Sequence, residues 1–242
     1  MKKIKILIPV YNDWQSLSQL LKNIDSEIVN VDHEISIVIV DDASTFDRQI
    51  EINDLLNISS IKILVMKENR GHARCIATGL KYIFEKEAFD YIIPMDGDGE
   101  DRPEEIIDLI TQMNNSNERS IVGERVRRSE DLIFKFCYFL HKIITLVFTG
   151  HSIKFGNFTC LSKETVKKLV NEKSTWNSFS GSLKKIEKDL IKIPSTRGTR
   201  YFGPSKMSFY NLIKHSLSII SVFRVTFLIR SAIFVITYIL LI

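Results

Sequence analysis

The sequence predicts an α/β domain built around a parallel sheet, on two observations. Apolar runs at positions 4–10, 34–40, 61–66 and 91–95 alternate with segments whose apolar residues have helical spacing, such as 16–24 and 72–84. A strand, helix, strand, helix order makes neighbouring strands parallel. Three of the runs also end in polar clusters: Pro9-Val10-Tyr11-Asn12-Asp13, Val40-Asp41-Asp42-Ala43-Ser44, and the stretch from Asp96 to Asp101. In a parallel arrangement those ends share one rim, the place where open α/β sheets bind ligands.

The first run reads as a strand and not as a secretory signal. Met1-Lys2-Lys3 is basic, but the apolar residues stop at Pro9-Val10 and polar Asn12 and Asp13 follow without a small-residue cleavage site. No glycine-rich, lysine-bearing phosphate loop follows it, and no G-x-G-x-x-G turn occurs. P-loop ATPase and dinucleotide dehydrogenase readings fall away on that ground, and the odds of a nucleotidyltransferase drop. The run at 61–66 is the third strand, and Asn69-Arg70-Gly71-His72-Ala73 leads from it into a helix. A helix start favours an anion through its backbone amides, so the backbone at Gly71 and His72 is expected to matter more than the His72 imidazole.

The fourth run feeds the most informative stretch, Met95-Asp96-Gly97-Asp98-Gly99-Glu100-Asp101-Arg102-Pro103-Glu104-Glu105. Proline suits the first helical position and carboxylates suit the positive end of the dipole, which predicts a helix beginning at Pro103. Two carboxylates one residue apart, joined by glycines at a strand's carboxyl end, can turn toward one hard cation, Mg2+ or Mn2+. A calcium loop of the EF-hand type would need glycine at its sixth position and glutamate at its twelfth, where Asp101 and Ile107 stand.

Beyond Glu124 the composition turns aromatic and basic. Arg125, Arg127 and Arg128 follow a strand-like 120–123 and are candidates for meeting a phosphate. After Asp189 no acidic residue occurs, whereas Lys192, Arg197, Arg200, Lys206, Lys214, Arg224 and Arg230 contribute seven positive charges, which leaves residues 1–189 at −3 within a chain of +4. Such a tail favours anionic head groups and the cytoplasmic side of a membrane. Residues 209–223 have the composition of a helix lying in the interface, and 231–242 is uninterrupted apolar sequence. From Val225 the apolar helix would reach about 27 Å, short of a ~30 Å hydrocarbon core and interrupted by Arg230, so membrane contact is expected and a full span stays open. The aromatic-rich stretch at 132–148 reads as interfacial helix or core. Trp176 to Gly181 reads as a flexible acceptor loop or a packed turn, and His151 as structural. Cys75, Cys137 and Cys160 fit no metal or redox pattern, which suits a reducing cytoplasm.

Taken in order, Pro9 to Asp13, Val40 to Ser44, Asn69 to Ala73 with Gly79, and Asp96-Gly97-Asp98 resemble the signature of family 2 glycosyltransferases with the GT-A fold, a Rossmann-like nucleotide-diphospho-sugar transferase domain. Val122-Gly123-Glu124-Arg125, Gly156-Asn157-Phe158 and Arg200-Tyr201-Phe202-Gly203-Pro204-Ser205-Lys206 resemble the later landmarks of the polyprenyl-phosphate branch, the dolichol-phosphate mannosyltransferase-like enzymes. The resemblance covers roughly residues 3–224. It implies that Pro9, Tyr11, Asp13, Asp41, Asp42 and Gly71 surround the nucleotide, and that Asp96 and Asp98 hold the metal on its diphosphate. Glu100, where the branch often has glutamine, adds a negative charge to that metal site. Glycines at 97 and 99 stand where bulkier residues are usual, so a less rigid turn is expected.

The domain reading is a GT-A domain over 1–207 and amphipathic and hydrophobic membrane-associated helices over 208–242. The implied reaction moves a sugar, with inversion, from a UDP- or GDP-linked donor to a polyprenyl phosphate in the membrane. Asp98, Arg125, Arg200 and Lys206 carry the transfer. A phosphate acceptor is ionised near neutral pH and needs no general base, whereas a hydroxyl acceptor would call on Asp101, Glu187 or Asp189. The alternatives are a family 2 transferase acting on a glycan or protein hydroxyl, and a non-catalytic membrane adaptor. No nucleic acid enters any of these readings, and a homo-oligomer is one way to complete a short C-terminal span.

Overall fold

The computed structural model describes residues 1–48, 50, 54–127, 143, 145–203 and 209–242. Seven strands form one sheet: β1 (Lys3–Val10), β2 (Glu34–Asp41), β3 (Ser60–Val65), β4 (Tyr91–Pro94), β5 (Ile121–Arg127), β6 (Phe155–Ser162) and β7 (Ile191–Thr196), in the order β3-β2-β1-β4-β6-β5-β7. Strands β1 to β4 are mutually parallel, with Ile4 opposite both Ile35 and Tyr91. Departing from a purely parallel sheet, β6 runs antiparallel to β4 and β5, while β7 lies parallel to β5. Because β6 runs backwards, its first residues lie on the rim where the parallel strands end.

Period-two alternation divides the strands between two cores, as it must when both faces of a sheet are covered. Ile4, Ile6 and Ile8 of β1 pack with Leu17, Leu20, Leu21 and Ile24 of α1 (Trp14–Glu27) and with Ile106, Leu109 and Ile110 of α3 (Glu105–Asn114). On the other face Leu7, Val38 and Ile92 pack against α2 (His72–Lys86), α4 (Lys163–Asn171) and α5 (Phe179–Ile186). Helix α2 crosses β1 so closely that a Cβ on Gly79 would sit 2.2 Å from Leu7 Cδ1.

One expectation needs correcting, and two readings left open are decided. Helix α3 begins at Glu105 and not at Pro103, since Pro103 and Glu104 form a turn whose carbonyls accept the Ile106 and Ile107 amides at 3.0 and 3.4 Å. The stretch from Trp176 to Gly181 is no open loop: Lys173–Trp176 is a 3-10 turn, Ser178 caps α5 by accepting the Gly181 amide, and Phe179 to Gly181 are buried. Arg230 is tolerated within the final helix, for α7 (Arg224–Leu241) follows α6 (Phe209–Val222) and runs through it.

Arg230 Nη1 donates to the carbonyls of Leu146 and Val147, at 3.3 and 2.8 Å, at the end of the helical residues 145–149. A cation at a helix C-terminus meets both orphan carbonyls and the negative end of the dipole. Helix α7 is exposed along its length, and among the described residues it is the one helix long and apolar enough to cross a membrane. Most of the 132–148 stretch, Cys137, Arg128 and the domain boundary at 207 lie outside the described residues.

Candidate active site

The acidic turn after β4 is held by its own backbone. Asp101 is 5% exposed and its carboxylate accepts the Asp96 amide at 2.9 Å, while the Glu100 amide donates to Asp98 Oδ1 at 3.0 Å. Gly99 has φ +89°, and a Cβ there would meet the Tyr201 ring at 2.6 Å. The glycines therefore do not loosen the turn. One of them admits the ring that covers it, and Tyr201 is fixed in turn by Asn23, which donates to its hydroxyl at 2.8 Å.

The segment after β7 lies along this turn. Gly198 and Tyr201 donate their amides to the Glu100 and Asp98 carbonyls at 2.8 and 3.0 Å. Two arginines come with it: Arg197 pairs with the Glu100 carboxylate, and Arg200 bridges Asp98, at 2.7 Å, and Asp13. Asp96 Oδ1 is met by His72 Nε2 at 2.9 Å and by Asn157 Nδ2 at 3.0 Å. Arg125 lies 3.7 Å from Asp101, so its guanidinium faces the same cluster.

The electrostatics follow from crowding. Burial raises the Asp98 carboxyl and the negative charge of Asp96 adds to it, so that it is pushed up to about 6. Burial and Asp96 likewise raise Asp101, against the pull of Arg125. Burial also opposes ionisation of Asp96, but His72, Arg125 and the Asn157 hydrogen bond outweigh it and hold that carboxyl well below the usual range. Desolvation works against a charged His72, and the carboxylates of Asp96, Asp101 and Asp98 outweigh that, raising the imidazole. Raised carboxyls in one short turn mark an excess of negative field that a divalent cation relieves.

Asp96 and Asp98 are the residues that would hold such an ion. No three acidic, imidazole or thiol groups converge as a protein-only cage among the described residues. That suits Mg2+ or Mn2+ in a nucleotide site, where one or two carboxylates combine with substrate phosphates and water. The Glu100 carboxylate is engaged by Arg197 and lies at the edge of this set.

Beside the turn, the loops after β1 and β2 enclose a cleft of about 490 Å3 lined by Asn12, Asp13, Trp14, Thr45 and Phe46. Asn12, at φ 51°, ties the two loops by accepting the Thr45 and Phe46 amides at 2.8 and 3.1 Å. Tyr11 is exposed beside it, whereas Pro9 is buried within β1. Asp41 and Asp42 are buried and already engaged: Asp41 accepts the Ser44 amide at 2.8 Å, and Asp42 accepts those of Arg70 and Gly71 at 2.7 and 2.8 Å. The Gly71 amide, expected to serve an anion, is thus taken by Asp42.

The rim therefore gathers Asp13, Asp96, Asp98, Arg125 and Arg200. Lys206 lies outside the described residues. The His72 imidazole, given the lesser part in the sequence, reaches Asp96. Local spacing cannot reveal that contact, which depends on α2 starting beside β4. Glu187 and Asp189, weighed as bases, are occupied elsewhere, with Thr165 and Lys168 and with Arg119.

Known proteins are similar to this chain in fold and in sequence. Glucosyl-3-phosphoglycerate synthase from Mycobacterium tuberculosis, in a structure titled as a complex with Mn2+, UDP and glucosyl-3-phosphoglycerate, superposes with a TM-score of 0.62 over 93% of this chain and 80% of that one, at 13% identity. The likeness establishes the GT-A fold. Undecaprenyl-phosphate 4-deoxy-4-formamido-L-arabinose transferases from Klebsiella pneumoniae and Proteus mirabilis are 25% and 26% identical, over 88% and 87% of this chain. The chain spans 64% of the length of either relative. Residues 5–175 match the sequence model described as Glycosyl transferase family 2, which takes in strands β2 to β6, most of β1 and the whole acidic turn, and the chain belongs to that family.

Proposed function

We propose that the chain moves a sugar from a nucleoside-diphosphate donor, UDP- or GDP-linked, to a polyprenyl phosphate at the cytoplasmic face of a membrane, with inversion at the anomeric carbon. The observation that carries this reading is the acidic turn of Asp96 and Asp98 on the rim, where Arg200 pairs with Asp98 and Arg197 with Glu100, in a chain whose sequence continues to the apolar α7. The relatives named as undecaprenyl-phosphate transferases support the acceptor class, and the synthase titled with UDP and Mn2+ supports the donor class and a divalent ion.

In this reading the cleft between the loops of Tyr11 to Asp13 and Ser44 to Asp47 takes the nucleoside, with Asp41 and Asp42 shaping its floor. A divalent cation, when bound at Asp96 and Asp98, supplies neutralising charge for the departing nucleoside diphosphate. Asn157 and His72 hold Asp96 in orientation, and Tyr201 covers the turn. Arg125, Arg200 and Lys206 attract the acceptor phosphate, whose oxygen attacks already ionised. No residue has to remove a proton, which agrees with Asp101 being tied to the Asp96 amide. The basic tail supports a cytoplasmic face for the reaction.

The test is incorporation of radiolabel. Membranes carrying the chain are incubated with UDP- and GDP-sugars, polyprenyl phosphate and Mn2+, beside an Asp98→Ala control. Label in the organic phase that needs Asp98 supports the reading. Nucleotide binding without lipid label overturns the acceptor.

A further inference from the structure

We propose that the chain has a second anion site, which takes the phosphate group of a membrane lipid, on the face of β5 away from the acidic turn. A cavity of about 270 Å3 opens there, and Lys154, Lys184, Lys188 and Lys192 all line it, with Glu124 and Ser152. Successive residues of a strand project to opposite faces. Arg125 accordingly faces Asp101, while Glu124 turns to this cavity.

The charge there is unbalanced. Glu124 Oε1 lies 3.7 Å from Lys154 Nζ and 3.5 Å from Lys192 Nζ, so the one acidic group orders two of the ammonium groups. Lys184 and Lys188 have no carboxylate partner among the described residues, and four cations against one carboxylate leave a surplus of three. Glu124 would repel an anion, which places the favoured position nearer Lys184 and Lys188. Ser152 lines the same space, and its hydroxyl is buried without a hydrogen-bond partner. Lysines act as mobile point charges toward phosphate, and a buried hydroxyl left unpaired is costly until something accepts from it.

The position points to the membrane as source. Ser152 follows His151, whose ring centroid is 4.6 Å from that of Phe223, the residue before α7. Burial and the charges of Lys184 and Arg230 push the His151 imidazole below its usual range, a second sign of positive field at this end of the molecule. A cavity with a positive surplus beside the root of an exposed apolar helix meets the head-group layer before any soluble anion has to be invoked. Free phosphate offers the same oxygens, and experiment separates the two.

The full chain, purified in maltoside micelles, is titrated calorimetrically with dioctanoyl phosphatidic acid, dioctanoyl phosphatidylcholine and inorganic phosphate. The Lys184→Gln/Lys188→Gln variant is compared with wild type and with Lys86→Gln/Lys167→Gln, which removes equal charge elsewhere. Phosphatidic acid is expected to bind wild type and the charge control alike and the Lys184/Lys188 variant about tenfold more weakly, with phosphatidylcholine giving no such difference. Tighter binding of phosphatidic acid than of inorganic phosphate assigns the site to lipid. Equal binding keeps the anion site but overturns its assignment to lipid. Binding that is unchanged in the Lys184/Lys188 variant, or that does not distinguish phosphatidic acid from phosphatidylcholine, overturns the site. Should that variant melt early, Lys188→Gln alone, at an exposed position, carries the same comparison.

Discussion

Arg200 reaches back across 102 positions to donate to Asp98 Oδ2 at 2.7 Å, and with its other terminal nitrogen it engages Asp13. A guanidinium therefore stands at the carboxylate that a divalent ion would use. In the proposed reading a bound ion would compete with this guanidinium for Asp98, which would leave Arg200 free to meet a phosphate.

Arg200→Gln is expected to separate those effects. Without nucleotide, Mn2+ should bind the variant more tightly than wild type, because the competing charge is gone. Sugar transfer should fall about a hundredfold in kcat/KM, the scale of losing one preorganised charge at a reacting phosphate. Manganese titration by electron paramagnetic resonance and steady-state kinetics read the two quantities. Weaker Mn2+ binding in the variant would show that Arg200 supports the ion instead of competing with it.

His72 supports Asp96 from outside. Replacing the partner that orients a metal-binding carboxylate costs about 10–100-fold in metal affinity. His72→Ala should therefore raise the Mn2+ concentration needed for half-maximal activity by that factor while leaving the thermal midpoint near wild type. His72→Gln, which keeps a donor, should recover part of the loss.

Gly99→Ala tests the turn itself. A positive φ and a ring at 2.6 Å both oppose the added methyl, and a strained backbone position costs about 1–3 kcal/mol. The loss should appear as a lowered urea midpoint. In a Tyr201→Ala background the steric part disappears and the backbone part remains, so the Gly99→Ala penalty should shrink without vanishing.

Asp25 gives a pH signature away from the site. Burial raises its carboxyl, but the amides of Asn57, Leu56 and Ile58 and the Asn57 side chain donate to the carboxylate and lower it overall. A depressed folded pKa contributes stability that is present above the unfolded value of about 3.9 and is lost as pH falls through the folded one. Asp25→Asn should destabilise by about 1–3 kcal/mol at pH 7. The gap from wild type should close as pH drops below about 4, which urea titrations at pH 7 and pH 3 will measure.

Strands β1 to β4 were legible as apolar runs, of which Ile4 to Val10 is the first, because such a run is a local signal, whereas β6 and β7 were not read as strands. Asp96 and Asp98 stood out because their chemistry lies within three residues. The direction of β6 was not legible, since a short strand that mixes Asn157 and Thr159 with its apolar residues does not record which way it enters a sheet. The same limit hid the imidazole of His72 at Asp96, the Arg197 pair with Glu100 and the grip of Arg230 on Leu146 and Val147. Each joins segments whose separation is set by the fold and not by spacing.

The reversed course of β6 has a kinetic meaning. While the chain emerges, residues up to Pro94 can assemble four parallel strands, but β4 then ends the sheet with an unpaired edge until Phe155–Ser162 is made and turns back along it. Such edges invite pairing with other chains, and distant partners form late. The strand that seals this edge also delivers Asn157 to Asp96. Sealing of this edge and the bracing of Asp96 by Asn157 are thus one event, so a half-made chain carries an aggregation hazard before it carries a finished site.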